Sequence, residues 1–273
     1  MPRNAGDSRA STLEGEWFEG PEPWTAMTGF MASALLTCTA QLVLETALER
    51  ELVRHLGYDR YSSAGRNRLN SRNGSRPKSV LTDVGNVRIL VPRDRYGTFE
   101  PMIVRKRQQR RLGLGWVVTG VLAGEPTAEI ACRLGVVYHR TLGREAIFDV
   151  ARAVVGEFAS LPSGNRDRGS WVTLYLGSTV VPTRARGPVA VSAVIGGRDD
   201  GSVTLLAARQ CEVDAMPELW PTLLRGLAER YVVGPGLVLC DDDDSLRDAA
   251  LLVWPGAAMI STAPATDLGA SSA

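Results

Sequence analysis

Two groups of charged residues in this 273-residue chain could do chemistry. The first is a run of four acids, Asp241–Asp244, which directly follows the short apolar run Leu237–Cys240. That order predicts a buried strand ending in carboxylates, and carboxylate oxygens are the ligands that Mg²⁺ prefers. The same acids would also suit the first turn of a helix beginning near Ser245, where negative charge is stabilising. The pattern favours the helix-cap interpretation over the metal site.

The second group is a basic block between Arg54 and Arg111, with 15 Lys and Arg residues against 4 Asp and Glu residues. Because the whole chain has a net charge of +1, this local charge of +11 leaves −10 on the remainder. Such a block attracts polyanions through counterion release. A solvated, arginine-rich face is the alternative, and composition leaves the two interpretations open.

The elements around the basic block are predicted from periodicity and turn residues. Apolar residues at three- and four-residue steps predict one long helix, or two broken ones, between Met27 and Leu56, with an apolar face that is core or a dimer seam. The polar stretch Arg60–Arg76 predicts a loop. Two β-prone runs, Ser79–Thr82 and Val87–Val91, then predict a hairpin whose second strand is closed by Pro92.

A short helix, a turn with a glycine and a longer helix follow, at Thr127–Leu134 and Thr141–Phe158. This is the outline of a helix-turn-helix, and Arg140, Arg144 and Arg152 would offer cations near its second helix. Helix pairs of this shape also occur in cores that touch no nucleic acid. The pattern therefore keeps both a DNA-binding and a structural interpretation.

The second half of the chain is predicted to be an α/β domain. A linker, Leu161–Gly169, precedes it, and a small polar tail, Thr262–Ala273, follows it. The order of elements is β-β-β-α-β-α, and they are Trp171–Leu176, Val189–Ile195, Val203–Ala208, Pro217–Tyr231, Leu237–Cys240 and Ser245–Val253. The predicted divisions are a tail (1–24), an α+β region (25–111), a helix-turn-helix (112–160), the α/β domain (170–260) and a tail (261–273).

The composition disfavours a zinc site and a membrane protein. The four cysteines lie far apart, and only His55 and His139 could join them as ligands, which fits free thiols in a reducing cytoplasm. Residues Thr25–Leu44 carry no charge, but their Thr, Ser and Gln residues make a poor membrane span. No secretion signal is recognised at the N-terminus.

Several motifs resemble the signature of the Mutator-type transposases of bacterial insertion sequences. In the basic block these are H-L-G-Y (His55–Tyr58), N-S-R-N-G (Asn70–Gly74), V-P-R-D-R-Y-G-T-F-E-P (Val91–Pro101) and R-K-R-Q-Q-R (Arg105–Arg110). Weaker matches are E-I-A-C-R-L-G (Glu129–Gly135), L-C-D (Leu239–Asp241) and V-W-P-G-A (Val253–Ala257). The resemblance implies an RNase H-like second domain and double-stranded DNA, the terminal repeats of an insertion element, as the partner.

The resemblance also implies a catalytic centre of three carboxylates that hold two Mg²⁺ ions. Leu176 stands where the first acid is expected, Asp241 matches the second, and the third has no counterpart before Ala273. Asp199 and Asp200 are predicted to form a hairpin turn rather than to replace the first acid. We therefore expect a degenerate or truncated transposase in which Asp241 is the one catalytic or metal-binding position retained.

The expected function is DNA binding without strand cleavage, in the cytoplasm and at the nucleoid. The alternatives are a repressor or dominant-negative partner, acting as a homodimer or as a mixed dimer with an intact transposase, and a relic without function. Cations would contact phosphates, and asparagines could reach base edges. The predicted DNA-binding residues are Arg66, Arg68, Asn70, Arg72, Asn73, Arg76, Lys78, Arg105, Lys106, Arg107, Arg140 and Arg144.

Overall fold

The structure is a computed structural model that describes residues 29–65, 68–105, 112–139, 141–161, 171–181, 183, 187–211, 216–229 and 234–262. Within these ranges the helices are α1 (Phe30–Leu56), α2 (Gly115–Leu122), α3 (Thr127–Val137), α4 (Arg144–Ser160), α5 (Met216–Ala228) and α6 (Asp244–Val253). The strands are β1 (Arg72–Thr82), β2 (Gly85–Asp94), β3 (Thr173–Val181), β4 (Val189–Gly197), β5 (Val203–Cys211), β6 (Leu237–Asp241) and β7 (Ala258–Thr262).

The predicted N-terminal helix is one unbroken helix, α1, at the centre of the fold. Its residues Val43, Leu44 and Leu48 are fully buried. It ends at Gly57, whose left-handed φ of 79° lets its N–H bond to the Val53 carbonyl at 2.8 Å. The helix is long and apolar enough to cross a membrane, yet 67% of its most apolar stretch is buried inside the protein. The apolar face is therefore core, and any dimer seam must lie elsewhere.

The hairpin β1–β2 is longer than predicted. The loop prediction for residues 72–76 was wrong, because β1 already begins at Arg72, and the prediction that Pro92 closes β2 was wrong, because β2 runs on to Asp94. Leu90 donates its N–H away from β1, to Glu45 at 2.9 Å. Pro92 lies two residues further along, so the N–H that it lacks would point to the same outer side and the ladder loses nothing.

The second half folds into a five-stranded sheet of order β5-β4-β3-β6-β7. Strands β3, β4 and β5 are antiparallel, and β6 and β7 run parallel to β3. The predicted order of six elements is present in the described residues. It is followed by β7, which the prediction missed when it placed the end of the domain at residue 260 and a tail from 261.

The sheet is covered on both faces. Helices α5 and α6 pack on one face through Trp220, Leu224 and Leu246. On the other face, Val191 and Ile195 of β4 belong to the same hydrophobic core as α1, so both halves of the chain share one core. Of the predicted linker, Leu161–Gly169, only Leu161 is among the described residues, and it is buried.

Helix α2 was not predicted, although its residues are mostly apolar and nearly all buried. Its start is fixed by Asp83, from the turn of the hairpin, whose Oδ1 accepts the N–H groups of Leu114 at 2.7 Å and Gly115 at 3.0 Å. A carboxylate at a helix N-terminus satisfies donors that have no partner within the helix. The hairpin therefore anchors the helical region of residues 115–160.

Candidate DNA interface and acidic strand end

Asp241 lies at the end of β6, beside the middle of β3. Leu176 is the residue opposite Cys240 in the parallel register, and both point into the core under α5 and α6. Asp241 points to the other face, where a Cβ built on Gly177 would clash with its Oδ2. The neighbour of Asp241 is therefore Gly177, and the predicted first-acid position, Leu176, faces the opposite way. Neither Gly177 nor Leu176 carries a carboxylate.

The Asp241 carboxylate is held by the protein itself. Its Oδ2 accepts the N–H of Ser178 at 2.8 Å. Burial raises the pKa of Asp241 above its ordinary value, the bond from Ser178 opposes that effect, and the charge of Asp243 adds to it. A divalent metal needs several oxygen ligands, and no cluster of three or more His, Cys, Asp or Glu residues that could supply them is found in the described part of the chain. Among the described residues, Asp241 therefore has no group of neighbouring ligands for a pair of Mg²⁺ ions.

The three following acids organise the start of helix α6. Asp243 is its N-cap, and its Oδ1 accepts the N–H groups of Ser245 at 2.8 Å and Leu246 at 3.3 Å. Arg247 forms ion pairs with Asp242 at 3.1 Å and Asp244 at 2.8 Å. This arrangement confirms the helix-cap interpretation for Asp243 and Asp244, whereas Asp241 belongs to the end of β6.

Asp199 and Asp200 lie in the β4–β5 turn, as predicted. Gly201 has a φ of 76° and donates its N–H to the Arg198 carbonyl at 3.0 Å. Asp200 accepts the N–H of Ser202, and the hydrogen bonds from Ser202 lower the pKa of this carboxyl. The turn is stabilised by these hydrogen bonds within it. Its two acids lie at the end of the sheet where β4 is joined to β5.

Asn70 is a structural residue of the basic block. Its Nδ2 donates to Asp94 at 2.8 Å, and its Oδ1 accepts the N–H of Tyr96 at 3.3 Å. Asp94 is only 1% exposed and also accepts the N–H and hydroxyl of Thr98 and the N–H of Phe99. Burial opposes the ionisation of Asp94, but these hydrogen bonds outweigh it and hold its pKa well below the ordinary value.

Arg72 is also used inside the protein. Its guanidinium pairs with Glu49 of α1 at 2.8 Å and lies 5.3 Å from the centre of the Tyr58 ring. Lys78 is half-buried and donates to the Arg105 carbonyl at 3.0 Å, and burial together with Arg76 lowers its pKa. Contacts of this kind compete with contacts to a phosphate.

The remaining described members of the predicted DNA-binding set are exposed. They are Arg68, Asn73, Arg76, Arg105 and Arg144, whereas Arg66, Lys106, Arg107 and Arg140 lie outside the described residues. Further exposed cations in the basic block were not singled out by the motifs, although the charge count of the block includes them. These are Arg60, Arg88, Arg93 and Arg95.

Helices α3 and α4 lie where the sequence predicts a pair of helices, but Gly135, predicted as the turn between them, lies inside α3, which runs on to Val137. Helix α4 presents an exposed stripe. Arg144, Phe148 and Arg152 recur at four-residue steps and are exposed, and Arg152 lies 5.7 Å from the Phe148 ring centre. The opposite side of α4 is buried at Ile147 and Val150. A stripe with two cations on an amphipathic helix is chemically suited to a DNA backbone or groove.

Comparison with known proteins decides the family. The family model described as "Transposase, Mutator family" matches residues 25–261, which is most of the chain. The chain belongs to the Mutator family of transposases. The resemblance inferred from the motifs of the basic block is thereby confirmed.

Curated relatives in this family are transposases of insertion sequences. The chain is 28% identical over 220 residues to the transposase for insertion sequence element IS905 of Lactococcus lactis subsp. lactis (strain IL1403), an alignment that covers 78% of this chain and 56% of the relative. It is 26% identical to the transposase for element IS1201 of Lactobacillus helveticus, over 82% of this chain and 61% of the relative. The chain thus spans little more than half the length of these two family members.

Proposed function

We propose that this Mutator-family chain binds the terminal DNA of an insertion element through its N-terminal half and does not cut DNA strands by itself. The absence of strand cleavage is inferred from the pairing of β3 with β6. Two-metal strand cleavage requires carboxylates that lie close enough together to bind the same metal ions. The residue of β3 that lies beside Asp241 is Gly177, which has no carboxylate. The order β5-β4-β3-β6-β7, with its antiparallel and parallel pairs, supports an RNase H-like domain.

DNA binding is supported by exposed cations on two neighbouring parts of the N-terminal half. Arg68 and Arg76 belong to the loop and hairpin, and Arg144 and Arg152 belong to α4. We assign α3 and α4 to a helix-turn-helix in which the exposed stripe of α4 meets the DNA. The buried side of α4 and the Asp149–Arg50 ion pair at 2.9 Å hold that helix against α1, so the stripe has a fixed orientation.

The experiment is a fluorescence-anisotropy titration of the full chain with duplex DNA from the element ends, repeated over a range of salt concentrations. Replacing Arg76 and Arg144 by alanine weakens binding and reduces the slope of log K against log salt by about 0.9 for each phosphate that the protein no longer neutralises. The matched control is Arg225→Ala, an exposed arginine on α5, which leaves both quantities unchanged. If the single variants Arg76→Ala and Arg144→Ala bind DNA with the same affinity and salt dependence as Arg225→Ala, the DNA lies on a different surface.

A second candidate function is a repressor that occupies the element ends. The burial of α1 favours this version over a mixed dimer formed through that helix, because its apolar face is already used in the monomer. Co-expression with an intact transposase tests the proposal. Transposition should fall with the wild-type chain and recover with the Arg76→Ala and Arg144→Ala double variant, and an unchanged frequency with the wild type would remove this function.

A further inference from the structure

Tyr61 is the most exposed large hydrophobic side chain in the described part of the chain, at 96%. It lies in a four-residue turn that is closed by the Ser62 N–H, which donates to the Asp59 carbonyl at 3.2 Å. Tyr61 is the third residue of this turn and has a φ of +64°. Glycine or asparagine suits that position, whereas a tyrosine there strains the backbone. The chain thus keeps a strained aromatic residue where folding alone would favour glycine.

The loop that carries Tyr61 is anchored firmly on its inner side. A second tyrosine, Tyr58, packs its ring against Gly65, where a Cβ would lie 2.5 Å from the ring, and its hydroxyl donates to the Asn70 carbonyl at 3.2 Å. An ion pair between Asp59 and Arg50 at 3.0 Å ties the same loop to α1. Tyr58 therefore stabilises the loop by packing and hydrogen bonding, whereas Tyr61, three residues later, is exposed to solvent.

A cation lies beside the Tyr61 ring. The Arg60 guanidinium lies 5.7 Å from the centre of that ring, and Arg68, seven positions further along the chain, is also exposed. An aromatic ring with a cation beside it is the arrangement that binds unpaired nucleic acid bases, because the ring stacks on a base and the cation contacts a phosphate. Backbone strain at an exposed residue is a further sign of a functional position.

We infer that Tyr61 stacks on an unpaired base of the bound DNA while Arg60 contacts a neighbouring phosphate. This inference rests on the proposed DNA binding and adds the form of DNA that the loop recognises, a junction between duplex and single strand. Stacked bases inside an intact duplex offer no free face, so Tyr61 adds nothing to the binding of blunt duplex.

The test uses a short duplex with a single-stranded overhang that carries 2-aminopurine, and a blunt duplex of the same sequence. The wild type and Tyr61→Phe quench the fluorescent base and bind the overhang DNA equally well. Tyr61→Ala loses the quenching and binds the overhang DNA about ten-fold more weakly, with no change on blunt duplex. Tyr61→Gly loses the quenching too, and its Tm is equal to or above that of the wild type, because glycine relieves the strained φ.

Two outcomes would overturn the inference in distinguishable ways. If Tyr61→Ala quenches 2-aminopurine as the wild type does while both bind DNA, the stacking role is wrong and the proposed DNA binding stands. If the wild type binds neither duplex, the proposed function and the stacking role fall together.

Discussion

Asn70 provides the sharpest test of which motif residues hold the fold. Asn70→Ala removes the hydrogen bond from Nδ2 to the buried Asp94 carboxylate and the acceptor of the Tyr96 N–H. A hydrogen bond to a charged group is worth about 1.5–3 kcal/mol. Tyr96 is exposed, so water replaces its missing partner and adds little to the destabilisation. We therefore expect a decrease of about 2–3 kcal/mol in the free energy of unfolding at pH 7, or about 5–10 °C in Tm.

The decrease should depend on pH in a defined direction. The folded-state pKa of Asp94 lies below its unfolded value, so the unfolded state binds more protons and the stabilisation is fully present above about pH 4. It disappears as the pH falls through the folded-state pKa. The difference between the wild type and Asn70→Ala should therefore shrink towards strongly acidic pH, where Asp94 is protonated in both proteins.

Urea unfolding, followed by circular dichroism over a pH series, measures this difference. Asn73→Ala is the matched control, because Asn73 is an exposed asparagine in the same motif, and its stability should match that of the wild type. An Asn70→Ala variant with wild-type stability but weakened DNA binding would refute the structural role and make Asn70 a base-contacting residue.

Two further predictions concern the acidic strand end. Gly177→Ala should destabilise the protein by about 1–2 kcal/mol, because the new Cβ displaces the Asp241 carboxylate from the Ser178 N–H. The control is Gly226→Ala on α5, which should stabilise the protein because the added Cβ meets no atom within 4 Å. Equal effects of the two substitutions in thermal unfolding would contradict the close approach of Asp241 to Gly177. Asp243→Ala should cost about 1 kcal/mol by removing the N-cap, whereas Asp248→Ala, exposed on the same helix, should change the unfolding free energy by less than about 0.5 kcal/mol.

The regular elements with a clear period could be predicted from the sequence. Helix α1 and strands β4 to β6 carry long or well-separated apolar patterns, and the structure places them close to the predicted positions. Strand β3 was also predicted, but it runs five residues beyond its predicted end, so Leu176 lies inside the strand. Strand β7 was missed because its five residues alternate weakly and follow directly on a turn. The start of β1 was missed because Arg72–Arg76 has the composition of a loop and is a strand only by pairing with β2.

The candidate site was harder to predict, because it depends on pairings between distant residues. Asn70 binds Asp94, which lies 24 positions later and meets it only when the hairpin is formed. At the strand end, the resemblance points to Leu176, whereas the parallel register places Gly177 beside Asp241. A shift of one residue along a strand moves a side chain to the opposite face, and sequence similarity alone does not fix that register.

The central proposal is that the chain binds DNA and does not cut it by itself, and a nicking assay tests this proposal most directly. The full chain is incubated with end-labelled duplex from the element ends in Mg²⁺ or Mn²⁺, and the strands are separated on a denaturing gel under conditions in which anisotropy shows a complex. We predict a stable complex and intact strands. Metal-dependent nicks that disappear in the Asp241→Asn variant would contradict the claim and show that this strand end still supports cleavage.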